Sequence, residues 1–452
     1  MGLILTRPRA PVQVATALAF ACALVGFGAV TAPRATLYAT AAMALCILAA
    51  RNVVALLAVF VILTFPETLP LGIASGTVAK PLGALLVGSW ALYLLESRRR
   101  DLRLRRSPAA VTSLAVFFGF ALSSALWATD ASTVFSNLSR LLQMVLLFLI
   151  IISVVRTQHH LFVVAAAYVC GSTATAAYAL GSGITLGGRL TGGVGNSNSL
   201  AAAFGAAILL AGFMLAAAHG FPRRAALLAS IGINGVALVL TQSRGGTIAL
   251  AAGLVAAAAI GGRWRSHAVG GGLVAVAVGA LYFFAVASPA VQARLTNISA
   301  QGSSGRADEW RIAYRIFEGH PVAGAGLGNY SVLAPHYATA TLQLLRVQFV
   351  LKGFVAHNTY LQVLSELGMV GITLFAIFIL GVVARGMRAL MGPLSTEVSA
   401  LGRGAIVALL SILVADFFGS GLFLKPLWIL LGLTSALPTL VADKEQQGVD
   451  VS

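Results

Sequence analysis

Fourteen apolar runs with almost no charge inside them limit what this chain can become. They lie near 12–31, 35–50, 53–65, 78–95, 109–127, 138–155, 161–180, 198–218, 225–241, 246–262, 268–287, 357–384, 401–418 and 424–441. A helix crossing a bilayer needs about 20 mostly apolar residues, and it must satisfy its own backbone because no water is present to do so. The runs therefore predict an all-α, polytopic integral membrane protein. Those at 35–50 and 53–65 are short and parted only by Arg51-Asn52, so the expectation is 12–14 transmembrane helices. The first run follows Arg7 and Arg9. Its apolar length of about 20 exceeds the 7–15 of a cleaved signal, so it is read as an uncleaved first helix. Composition agrees: 10% of residues are charged, against roughly 25% in soluble domains. That excludes a soluble enzyme, a disordered chain and a disulfide-stapled secreted domain.

The net charge of +17 would point to nucleic acid in a soluble protein. Topology accounts for it here. With the N-terminus inside and the loops alternating, the inside loops hold 17 cations: Arg7, Arg9, Arg51, Arg98, Arg99, Arg100, Arg103, Arg105, Arg106, Arg156, Arg223, Arg224, Arg263, Arg265, Arg385, Arg388 and Lys444. The short outside loops hold 6: Arg34, Lys80, Arg140, Arg189, Arg244 and Lys425. This is the positive-inside bias, and it calls for no nucleic-acid partner. Inside the runs, ionisable residues are almost absent apart from Glu366 and Asp416, and no internal repeat is visible. A coupled transporter usually lines an internal path with several such residues and often carries inverted repeats. A transporter for a lipid-linked sugar is thus the weaker reading. The expected organisation is one membrane domain, 1–452, with a long outer loop, 288–356, inserted between two helices.

Four polar stretches fall on the outer face. Gly187 to Asn198 is rich in Gly, Asn and Ser. It serves either as a flexible connector with a helix cap or, with Arg189 beside a helix N-terminus, as an anion site. Thr241-Gln-Ser-Arg-Gly-Gly246 carries Arg244 with no acidic residue near it in the sequence. Arg244 either snorkels to lipid headgroups or binds a phosphate bidentately. In the long loop, residues 306–318 have helical periodicity, with Trp310, Ala313 and Phe317 on one face and Asp308, Arg311, Arg315 and Glu318 on another. Asp308 and Glu309 fall in the first turn, where the helix dipole favours acids. Gly324-Ala-Gly-Leu-Gly328 reads as a bend more than a phosphate loop, and a second helix is expected over roughly 331–351. The loop's six cations against three acids ask for an anionic partner, or lipid headgroups. Finally, Ala356-His-Asn-Thr-Tyr-Leu-Gln362 opens a membrane helix. His357 there is either a proton acceptor or a surface residue that caps the helix. His320 and His336 are weaker candidates, and Glu366 falls about 180° around the helix from His357.

These stretches, in this order, resemble the O-antigen ligase/polymerase superfamily. The residues that carry the resemblance are Arg-Leu-Thr-Gly…Gly-Asn-Ser-Asn, Ser-Arg-Gly-Gly, Gly-Arg…Trp…Gly-His-Pro-Val-Ala-Gly-Ala-Gly and His-Asn-Thr-Tyr-Leu-Gln…Glu-Leu-Gly-Met-Val-Gly, between about 187 and 371. The resemblance implies a membrane C-type glycosyltransferase, inverting and needing neither metal nor cofactor, on the periplasmic face of a bacterial inner membrane. The donor would be a polysaccharide on undecaprenyl diphosphate. The acceptor would be lipid A–core in a ligase, preferred here, or another lipid-linked repeat in a polymerase. Carried over by position, Arg244 and Arg306 would bind the diphosphate, with Arg189 a further candidate. His357 would take the acceptor proton. Asn196, Trp310, Arg311 and Asn358 would support them. No carboxylate is obviously placed in the sequence to hold His357.

Overall fold

The computed structural model describes residues 40, 52–65, 79–97, 108–183, 185–186, 188–191, 196–287, 289, 292, 306–339 and 355–449. Apart from Thr40, the expected runs at 12–31 and 35–50 lie outside these residues, as does the Arg98–Arg106 cluster. Each of the other twelve runs is a helix. The bundle is built from α1 (Val53–Thr64), α2 (Ala79–Ser97), α3 (Pro108–Ser123), α4 (Ala131–Val154), α5 (Gln158–Ser182), α6 (Ser197–Ala216), α7 (Phe221–Leu240), α8 (Arg244–Ile260) and α9 (Arg265–Leu281). Two loop helices follow, α10 (Arg306–Gly319) and α11 (Tyr330–Thr339), and then α12 (Thr359–Ala389), α13 (Thr396–Ala415) and α14 (Lys425–Val449). The only strands among the described residues are β1 (Thr185–Leu186) and β2 (Arg189–Leu190), an antiparallel pair. By length and composition, 8 of the helices can cross a membrane, and α1, α2, α8 and α14 are shorter apolar helices. The protein is an all-α, multi-pass membrane protein.

Small residues set the packing. At Gly246 on α8 a Cβ would come within 2.3 Å of the Ala201 Cβ on α6, and at Gly253 within 2.3 Å of Leu209. Without side chains there, α6, α8 and α13 approach closely, which is how helices associate when lipid removes the hydrophobic driving force between them. Ser411 on α13 adds a hydrogen bond to the Ala249 carbonyl of α8 at 2.8 Å. On α9, by contrast, no residue is buried, and Leu273, Val274, Val276, Val278 and Leu281 are exposed. A helix this apolar on its open faces is suited to lipid, not water.

Side-chain bonds tie the helix ends into two layers. At one end Gln158, which opens α5, meets Glu397 and Ser395 at the start of α13, and Arg403 reaches the Ile260 carbonyl. At the other end lie the α3–α4 turn, the β hairpin, the α7–α8 turn, the loop helices and the turn after α13. Loop helices α10 and α11 share a small apolar core of Ile312, Ala313, Ile316, Ala325, Tyr330, Leu333, Ala334 and Ala338. The buried face of α10 is Glu309, Ile312, Ala313 and Ile316, not the expected Trp310/Ala313/Phe317 face. The stripe is rotated because the helix packs through its isoleucines and leaves Trp310 and Phe317 half-buried at the edge. The second helix, expected over 331–351, is described as Tyr330–Thr339; residues 340–354 lie outside the described set.

Candidate functional site

The loop is held by backbone hydrogen bonds inserted into a break in α12. Gly368 stands at φ 64 inside that helix. The segment 321–328 pairs with the opened turn. Ala325 N donates to Ser365 O at 3.0 Å and Gly326 N to Glu366 O at 2.8 Å, while Met369 N donates to Pro321 O at 2.9 Å and Val370 N to Val322 O at 3.1 Å. The Glu366 carboxylate accepts from Gly328 N at 2.8 Å and from Gln362 at 3.2 Å. Gly324 takes φ +72, and a Cβ there would lie 2.3 Å from the Glu366 backbone. The glycine triplet is therefore a docking turn against protein backbone. Asn329 then grips the start of α4, accepting from Asp130 N at 2.8 Å and donating to Asp130 O at 3.1 Å.

That docking places the start of α10, and the turn after α13 places the start of α8, relative to His357. Asn358, not His357, caps α12, accepting from Tyr360 N and Leu361 N at 3.0 Å each. Thr359 bonds the turn after α13, its N–H donating to Asp416 O at 2.9 Å and its hydroxyl accepting from Gly421 N at 2.7 Å. Arg244 is the first residue of α8, after the cap Ser243, whose Oγ accepts from Gly246 N at 3.1 Å. Gly245 abuts Phe418 of the same turn, where a Cβ would come within 2.6 Å. The starts of α8 and α12 thus lean on a single turn, 416–421. Among the described residues, the non-glycine positive φ values are at Gln242 (50°) and His357 (47°), next to Arg244 and at the candidate base. Such backbone is costly for residues with side chains and tends to gather at functional sites.

Arg306 opens α10, and its charge reaches both Glu309 and His357. His357 Nε2 lies 4.0 Å from Glu309 Oε1, a contact spanning 48 residues of chain. Glu309 is buried, and its Oε2 has no hydrogen-bond partner among the described residues. Burial, opposed by Arg306 and reinforced by Asp308, pushes its carboxyl up to about 7. Burial first, and then the Arg306 charge, hold the His357 imidazole below its ordinary value. Both effects favour the neutral imidazole, the form that can accept a proton.

The remaining candidates divide. Arg189 Nε donates to Thr241 O at 2.9 Å and its Nη2 to Asn198 Oδ1 at 3.0 Å, so it staples the hairpin to α6 and α7. Asn198 Oδ1 also accepts from Ser243 Oγ at 2.8 Å, which makes it a junction the sequence reading passed over. Asn196 caps α6. Trp310 is half-buried, with its indole N–H lacking a partner among the described residues. Arg311 is exposed and pairs with Asp308 at 3.4 Å. His320 and His336 are exposed on the loop. Asp416 and Ser420, neither singled out for the site from sequence, each leave a buried oxygen without a partner among the described residues, beside a cavity of about 30 Å³ also lined by Asn198 and Ser199. That is room for about one water. Glu309 was the main omission. Its signal lay in its spacing: it heads the i, i+3, i+4, i+7 stripe completed by Ile312, Ala313 and Ile316.

Fold and site together define a multi-pass membrane protein with arginines, an imidazole and a buried carboxylate gathered at one end of its bundle. The family model described as O-antigen ligase matches residues 225–376, which hold Arg244, Arg306, Glu309 and His357. The match supports the O-antigen ligase/polymerase superfamily, whose members are glycosyltransferase-like enzymes acting on lipid-linked polysaccharides. No curated protein matches the chain.

Proposed function

We propose that this protein is an O-antigen ligase, transferring polysaccharide from undecaprenyl diphosphate to a hydroxyl of lipid A–core on the periplasmic face of the inner membrane. The observation that carries the reading is the meeting of His357 with Arg306 and Glu309 at the loop–bundle junction, on the same turn-supported end as Arg244. A diphosphate leaving group needs its developing charge stabilised, and guanidinium groups supply this with planar two-point contacts. A sugar hydroxyl is a weak nucleophile and gains from a neutral imidazole that takes its proton as it attacks. Attack from the face opposite the diphosphate inverts the anomeric centre. Arg244 and Arg306 hold the diphosphate, and Arg189 orders the hairpin beside them. The arginines and the imidazole supply these roles without a metal. The membrane domain and its inserted loop work as one unit, since the loop brings Arg306 and the bundle brings Arg244.

Lipopolysaccharide from a deletion strain tests this reading. A ligase deletion leaves bare core and accumulates lipid-linked polymer, and complementation by this chain restores the ladder. Core bearing a single repeat would instead identify a polymerase of the same superfamily.

A further inference from the structure

We propose that Glu309 is the positioning residue of His357: its carboxylate orients the imidazole through Nε2, leaving Nδ1 to face the acceptor hydroxyl, and stabilises the imidazolium that forms. The inference rests on the glycosyl-transfer reading above and adds a residue to it. The geometry is specific. Glu309 sits on the buried face of α10, among Ile312, Ala313 and Ile316, where an acid has no packing reason to be. The Tyr330 hydroxyl donates to the Glu309 carbonyl at 3.1 Å and fixes the turn that carries it. Oε1 points to His357 Nε2 at 4.0 Å, and Oε2 has no partner among the described residues. A buried carboxylate left partly unsatisfied is costly unless a partner completes it. His357 is the group at hand, held at φ 47 with the helix cap supplied by Asn358. The separation exceeds a hydrogen bond by about 1 Å, and catalytic hydrogen bonds are often long before substrate tightens them.

In the transfer, the acceptor oxygen bonds to the anomeric carbon. The carbon–oxygen bond to the diphosphate breaks, and its electron pair leaves on the diphosphate. The hydroxyl proton passes to His357 Nδ1, and the imidazolium keeps its Nε2–H toward Glu309. The charged and titratable groups around the pair are Arg306 and Asp308 on α10, Tyr330 on α11 and Glu366 on α12, which with Glu309 flanks the Tyr330 phenol. Because the carboxyl is pushed up to about 7, the orienting form appears as pH rises through neutrality.

The test uses the full-length protein in nanodiscs, with undecaprenyl-diphosphate-linked polysaccharide as donor and lipid A–core as acceptor. Glu309→Gln is expected to lower kcat about 10²-fold with little change in donor KM. It should also abolish the rise in kcat through neutral pH, and Glu309→Asp should recover part of both. Independently of turnover, ¹⁵N-histidine NMR follows the His357 ring, assigned by its loss in His357→Gln. Glu309→Gln should lower the proton affinity of that ring. A Glu309→Gln protein with wild-type rate, pH profile and His357 titration overturns the proposal. If the wild type transfers nothing from this donor, the ligase reading fails alone. The titration then decides whether Glu309 holds His357: an unchanged curve refutes it and a lowered one supports it.

Discussion

Gly328 donates its backbone N–H to the buried carboxylate of Glu366 at 2.8 Å, joining the long loop to the third turn of a membrane helix. The same loop presents Arg306 and Glu309 to His357, so this clasp helps to hold the candidate site together. Gly328 has φ +80, and a Cβ there would lie 2.1 Å from the Asn137 side chain; Gly324 meets the Glu366 backbone. Gly324→Ala and Gly328→Ala should therefore cost several kcal/mol through clash and strained φ, roughly 1–3 of it from the backbone conformation alone. Size-exclusion profiles of fluorescently tagged variants should show loss of the monodisperse peak. Gly270→Ala, with open space around it, should match the wild type.

Arg244→Lys and Arg306→Lys keep the charge but lose the planar fork. Each should reduce transfer by at least about 10²-fold, the scale of losing one donor to a developing anion. Membrane levels should stay normal. Arg224→Lys, exposed at the opposite end of the bundle, should be silent. Wild-type turnover in both site variants would remove the diphosphate assignment.

His357→Gln keeps a hydrogen-bonding group without the proton affinity. Its rate should fall about 10²–10⁴-fold, the usual worth of a general base, with donor binding retained. The wild-type rate should decline in acid, as the imidazole takes up a proton. Because burial and Arg306 hold its pKa below the ordinary value, this loss should come at lower pH than for a free histidine, beneath the earlier loss through neutrality that protonation of Glu309 brings. Chelator in the assay should change nothing. A Gln variant with most of its activity would reduce His357 to a substrate-positioning group.

Glu309 predicts a conflict between stability and function. Its carboxyl is raised from 4.5 to about 7 in the folded protein. The neutral form is therefore favoured by folding, and this stability is complete below pH 4.5 and lost as pH rises through about 7. Glu309→Gln should be more stable than the wild type at pH 8, by on the order of 1–3 kcal/mol, with the gain shrinking toward pH 5. Thermal unfolding in detergent at the two pH values measures it. A gain independent of pH would mean that the carboxyl does not titrate as described.

The arginine counts predict an orientation that labelling can check. In a chain freed of Cys22, Cys46 and Cys170, His336→Cys should react with an impermeant maleimide in intact spheroplasts, and Arg224→Cys only after permeabilisation. Both positions are exposed. The reverse pattern would put the loop inside and contradict the periplasmic assignment.

Local composition alone was enough to reveal the helices, because a bilayer demands a run of apolar residues wherever the chain crosses. The same holds for the cap expected in the Gly187–Asn198 stretch, supplied by Asn196, because a cap acts within a few residues of the chain. Two features depended on tertiary structure. The Gly324–Gly328 segment read as an ordinary bend until α12 was seen to break at Gly368 and receive it. Glu309 read as a first-turn acid favoured by the helix dipole, and no carboxylate was evident for His357. Its burial comes from the packing of α10 against α12, and its partner is 48 residues away. Periodicity reports which residues share a face, but only packing decides which face turns inward and what stands opposite it.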